Sequence, residues 1–79
     1  MSALHIHAPA PTHFARRVMR CPTCKVRRRV VVRGYEWYEP SATCCACGTW
    51  WAGGRAHKGY RFEREHRAKM ARAAWKAGT

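Results

Sequence analysis

Seventy-nine residues carrying a formal charge of +12 suit one small domain, which buries roughly 60% of what its unfolded chain exposes and draws no more than about 3–5 kcal/mol from its core. An external staple is therefore expected. Sixteen Lys plus Arg stand against four Glu, with no Asp, Asn or Gln. That supply is too poor for two-metal phosphoryl transfer or for paired-carboxylate glycoside chemistry. Ser2 and Ser41 lack the flanking glycines of a nucleophile elbow, so an enzyme is not expected. No apolar run reaches the roughly 20 residues that span a bilayer, and the first ten residues lack the pattern of a signal peptide. Five cysteines, an odd number, argue against a fully paired disulfide scaffold. The expectation is a soluble, intracellular, cytoplasmic protein of α+β class, stapled by metal.

In chain order, residues 1–20 read as a basic N-terminal arm, Pro-punctuated and mobile up to Pro11. A short helix is predicted over 12–20, with Thr12 as N-cap and Phe14 and Val18 on one side. Lys25 to Arg33 alternates: positions 26, 28, 30 and 32 form a mostly apolar face, and 25, 27, 29, 31 and 33 a mostly basic one. Gly34 supplies a turn, and Glu36 to Thr43 is a return strand made an edge or bulged by Pro40. Thr49 to Ala52 is a third strand, closed by Gly53-Gly54. Residues 62–77 read as a helix. Its spacing offers the pairs Glu63–Arg67 and Glu65–Lys69 and a packing stripe through Phe62, His66, Met70 and Ala73 or Ala74.

Cys21-Pro22-Thr23-Cys24 and Cys44-Cys45-Ala46-Cys47-Gly48 contain two C-x2-C pairs separated by 19 residues. Zinc takes four thiolates in a tetrahedron, and a hairpin turning at Gly34, the midpoint of the intervening segment, returns the second pair to the first. The span Cys21 to Ala52 resembles a zinc ribbon: two knuckles, a β-hairpin between them and a third strand. By that resemblance Cys21, Cys24, Cys44 and Cys47 are the ligands of one Zn²⁺, in a three-stranded antiparallel sheet followed by a helix. Lys25 departs from the pattern, standing where a first knuckle often has Gly. Cys45 also departs from it, as a neighbouring thiol able to replace Cys44. Two disulfides would leave Cys45 free and want a secretory context, a thioredoxin-like pair wants a βαβ unit, and iron in a rubredoxin-like site uses similar knuckles. The five His residues offer no second site of comparable spacing. Metal binding worth about 10–16 kcal/mol exceeds anything the core contributes.

Arginine outnumbers lysine 12 to 4, and guanidinium forks suit phosphate and stack on bases. The candidate nucleic-acid-binding residues are Arg16, Arg17 and Arg20 from the first segment, Arg27, Arg28, Arg29 and Arg33 from the finger, and Arg61 and Arg64 from the helix. Arg67, Lys69 and Arg72 extend the helical set. Trp50 and Trp51 project to opposite faces, one of them beneath the helix and the other a stacking platform. Trp75 reads as an anchor for the helix end. The expected partner is RNA or DNA. The alternative is an acidic protein surface in a transcription or translation machine, with the chain as an adaptor, for instance a small phage protein acting on a host complex.

Overall fold

The computed structural model describes residues 11–36 and 38–77; the first ten residues of the arm predicted over 1–20, Trp37, Gly78 and Thr79 lie outside them. Five strands, β1 (His13–Arg20), β2 (Arg27–Gly34), β3 (Ser41–Cys44), β4 (Trp50–Ala52) and β5 (Arg55–His57), precede one helix, α1 (Arg61–Ala77). The strands form one antiparallel meander in the order β1-β2-β3-β4-β5. The sheet thus has five strands where three were expected.

One additional strand is β1, over the segment predicted as a helix. Phe14 and Val18 satisfy a helical spacing, but His13–Arg20 pairs along its whole length with β2, from His13 opposite Gly34 to Arg20 opposite Arg27. The edge of β2 is a long row of unpaired backbone groups, and pairing it outweighs a weak local preference. The other additional strand, β5, follows Gly53-Gly54. Both glycines have positive φ, at 56° and 82°, as a two-residue hairpin turn of the primed type requires.

The register sorts side chains onto two faces. Arg16 of β1, Val31 of β2, Thr43 of β3 and Trp50 of β4 are mutually opposite and share one face; Arg17, Val30 and Cys44 share the other, as do Ala42 and Trp51. The helix packs on the first face, where Val31, Cys45 and Ala71 form a buried cluster extended by Ala74 and Trp75. This is the face that alternation marked as basic. Arg29, Val31 and Arg33 lie along it, so the helix crosses the arginine row at its one valine.

The packing stripe of α1 also differs from expectation. Ala68 and Ala71 are its buried residues, whereas Phe62 and Met70 remain 72% and 51% exposed. Small side chains face inward because the helix backbone comes close to the sheet. The start of α1 is capped by Glu63 Oε1, which accepts from the Tyr60 amide at 2.9 Å, half of a capping box. Glu65 pairs with Arg61 at 2.9 Å. The two acids thus act in the first turns rather than with Arg67 and Lys69.

Candidate metal centre and basic grooves

The first knuckle is the turn between β1 and β2, the second the turn between β3 and β4; an antiparallel meander puts both at the same end of the sheet. The backbone repeats itself at the two sites. Lys25 donates its amide to the Cys21 carbonyl at 2.8 Å, and Gly48 to the Cys44 carbonyl at 3.0 Å. The residue after each pair is left-handed, with φ of 65° at Lys25 and 74° at Gly48. Amides point at the first sulfur of each pair: Cys24 N to Cys21 Sγ at 3.3 Å, and Ala46 N and Cys47 N to Cys44 Sγ at 3.4 and 3.5 Å.

The Sγ atoms of Cys21, Cys24, Cys44 and Cys47 all lie within 4.8 Å of one another, and Cys21 Sγ is 3.5 Å from Cys47 Sγ. Sulfurs about 2.3 Å from a central ion would stand about 3.8 Å apart in a tetrahedron, so four converging thiols with amide donors around them can hold a metal ion. Thr49, fully buried, ties the knuckles together. Its hydroxyl is 3.2 Å from Cys47 Sγ and 2.9 Å from the Thr23 hydroxyl in the other knuckle.

The thiols are not equivalent. Burial pushes Cys21 up to about 12, and burial likewise raises Cys44. Burial also acts upward on Cys47, but hydrogen bonding with the Thr49 side chain and backbone and with the neighbouring thiols of Cys21 and Cys24 outweighs it, bringing that thiol down to about 7. Cys45 belongs elsewhere: its side chain is buried with Val31 and Ala71, outside the four-sulfur group. Burial raises its thiol, against the charges of Arg72, Arg29 and Arg33.

The predicted arginines are distributed over several surfaces. Arg16 and Arg29 place their guanidiniums 5.9 and 5.7 Å from the centre of the Trp75 ring, cation–π distances, and Arg16 Nη1 also donates to the Trp75 carbonyl at 3.3 Å. Arg17, on the opposite face, donates to the Arg16 carbonyl. Arg20 is exposed opposite Arg27, which reaches the Val18 carbonyl at 3.4 Å. Arg28 is favoured as the cation by hydrogen bonding to the Cys24 sulfur and then by its charge. Arg33 is half-buried, bonded to the Thr43 hydroxyl at 3.0 Å and set over the Phe14 ring. Arg61 is engaged with Glu65, and the Nε of half-buried Arg64 has no partner among the described residues. One continuous arginine face is not formed.

Two grooves flank α1 instead. β2 outruns β3 at the knuckle end, since its pairing with β3 begins at Val30. Past the last bond to it, from the Cys45 amide to the Arg29 carbonyl at 2.9 Å, β2 runs free, and Arg27, Arg28 and Arg29, with Arg72, Trp75 and Lys76 from the helix, line a groove of about 620 Å³. Among the described residues, no carboxylate lines it. On the other side of the helix, a groove of about 740 Å³ is lined by Tyr35, Tyr38 and Trp50, with Arg33, Arg67 and Met70 among its walls. Trp50 is half-buried and stacked on His57, with ring centres 4.1 Å apart; Trp51 is half-buried on the sheet's other face. The part played by Lys76 and Trp75 was not visible in the sequence, because it depends on where the helix end lands on β2. No helix among the described residues is long and apolar enough to cross a membrane. Compared with family models, curated proteins and solved structures, the chain matches none.

Proposed function

We propose that this chain is a zinc-stapled module of zinc-ribbon type that binds nucleic acid. Cys21, Cys24, Cys44 and Cys47 would hold Zn²⁺, whose preference for tetrahedral thiolate suits them. Its part is structural: the ion joins the β1–β2 and β3–β4 turns, and the sheet so fixed presents the free edge of β2 beside the end of α1. The observation that carries the nucleic-acid reading is the groove of Arg27, Arg28, Arg29, Arg72 and Lys76 around Trp75, without a carboxylate among the described residues of its lining. Five cations along one concavity raise its positive potential, and a polyanion with regular phosphates can meet several at once.

The test is the salt dependence of binding to a labelled oligonucleotide, followed by fluorescence anisotropy. Log affinity should fall linearly with log salt, and Arg27→Ala with Lys76→Ala should reduce the slope by about 1.4–1.8. An unchanged slope would sink this reading. A protein-docking role rests on a different feature, the stacked Tyr60 and Phe62 rings, 6.1 Å apart and 74% and 72% exposed. It would be favoured by tight binding to one acidic protein with none to oligonucleotides.

A further inference from the structure

We infer that the groove between α1 and the β3–β4 side of the sheet takes an unpaired nucleobase, which makes single-stranded nucleic acid the partner rather than duplex. This rests on the nucleic-acid reading and names the form of the ligand. The groove, at about 740 Å³, is of the size that encloses small organic ligands. Its lining includes one carboxylate, Glu39, and two aromatic walls: Trp50 at one side is held by its stack on His57, and Tyr38, in the loop between β2 and β3, is 63% exposed while lining the same space. A planar base entering between a fixed ring and an accessible one gains stacking on both, a gain open to every base. Arg33 and Arg67 stand in the walls, where guanidinium planes also stack on bases and favour a neighbouring phosphate.

The two grooves are joined over the outside of the helix. His66, Lys69, Arg72 and Lys76, spaced three or four apart, are all exposed on α1, so they share one outward stripe. His66 lines the aromatic groove and Arg72 and Lys76 the arginine groove. A single strand can follow this stripe with its phosphates and turn a base into the aromatic groove. A duplex cannot do so without unpairing that base, which costs a few kcal/mol.

The experiment compares the metal-loaded full chain binding a labelled single strand, the same strand as duplex, and an abasic strand with the same number of phosphates. The base-bearing single strand should bind best. Tyr38→Ala should weaken it about 5- to 150-fold, the equivalent of about 1–3 kcal/mol of stacking, with the salt slope and the abasic and duplex affinities unchanged. Tyr38→Phe should restore it. Equal binding of abasic and base-bearing strands, or an unaltered affinity in Tyr38→Ala, overturns the base site and leaves the phosphate groove standing. If none of the three binds, both readings fall together.

Discussion

Gly48 lies against the backbone of Arg64: a Cβ built at position 48 would overlap the Arg64 carbonyl oxygen and come within 3.0 Å of the Ala68 amide nitrogen. The knuckle and the helix therefore meet backbone to backbone, with Ala68 and Ala71 as the inward residues of α1. Gly48 is also left-handed, with φ of 74°, which costs a non-glycine residue about 1–2 kcal/mol. Overpacking adds about 1–3 kcal/mol. Gly48→Ala should lower stability by about 2–5 kcal/mol, read as a fall in the urea midpoint of the metal-loaded protein. A midpoint equal to wild type would show that the helix does not sit on the knuckle.

At the equivalent place in the first knuckle stands Lys25, with φ of 65° and an exposed side chain. Its amide still bonds the Cys21 carbonyl, so the turn has the geometry of the second knuckle and bears the strain of a Cβ. Lys25→Gly should raise stability by about 0.5–1 kcal/mol, the relief of strain being partly offset by a freer unfolded chain. Lys25→Asn separates charge from conformation, because Asn tolerates this region. If Lys25→Ala stabilises as much as Lys25→Gly, the gain comes from lost charge repulsion and the strain argument fails.

These two positions show why the metal end was legible in sequence and the rest of the fold less so. The C-x2-C spacing encodes a local turn, so the four cysteines were identifiable without knowledge of distant contacts; the return expected at Gly34 instead lies beyond it, because Gly34 ends β2 paired with His13 and has no positive φ. β1 was not, because Phe14 and Val18 satisfy a helical spacing, and what decides against it is the long-range edge of β2 with which the segment pairs. β5 was signalled by Gly53-Gly54, a two-residue hairpin turn read as a terminator instead. In α1 the large side chains of Phe62 and Met70 suggested the inward face, but the close approach at Gly48 leaves space only for alanine. The arginine groove depends on β2 outrunning β3, a register that no residue in either strand reveals alone.

Metal affinity should depend on pH in a way that identifies Cys47. Its thiol is lowered to about 7, below the ordinary value, so the stability its thiolate contributes is present above that ordinary value and is lost as pH falls through about 7. Cys21, raised to about 12 by burial, behaves oppositely: its neutral form is favoured up to about 12, and metal must displace its proton throughout the neutral range. Ligands bind as thiolates, so each competing proton adds one to the slope of log affinity against pH. The slope should therefore steepen by about one below pH 7, measured by competition with a chromogenic chelator under reducing conditions. A slope constant through pH 7 would refute the Cys47 assignment. Strong chelation at neutral pH should also abolish the far-UV signal of β1–β4, because the metal is worth more than the core.

Cys45 separates coordination from packing within a single dipeptide. Cys44 points with Val30 toward the sulfur cluster, while Cys45 turns to Val31 and Ala71 beneath the helix, where the Arg72 Nη1 donates to its carbonyl at 2.8 Å. Cys44→Ala should abolish stoichiometric metal binding, since Cys45 would have to leave the core and reverse the strand's alternation to replace it. Cys45→Ala should keep one ion per chain and cost about 1 kcal/mol of packing, less than a full side-chain deletion because only one sulfur is lost. Cys45→Ser should cost about 1–3 kcal/mol, since its hydroxyl would be buried without a designed partner. Elemental analysis and urea denaturation of the three variants measure both quantities independently. Retention of one tightly held ion by Cys44→Ala would mean that Cys45 takes over as ligand, and the division of labour between the two thiols would be wrong.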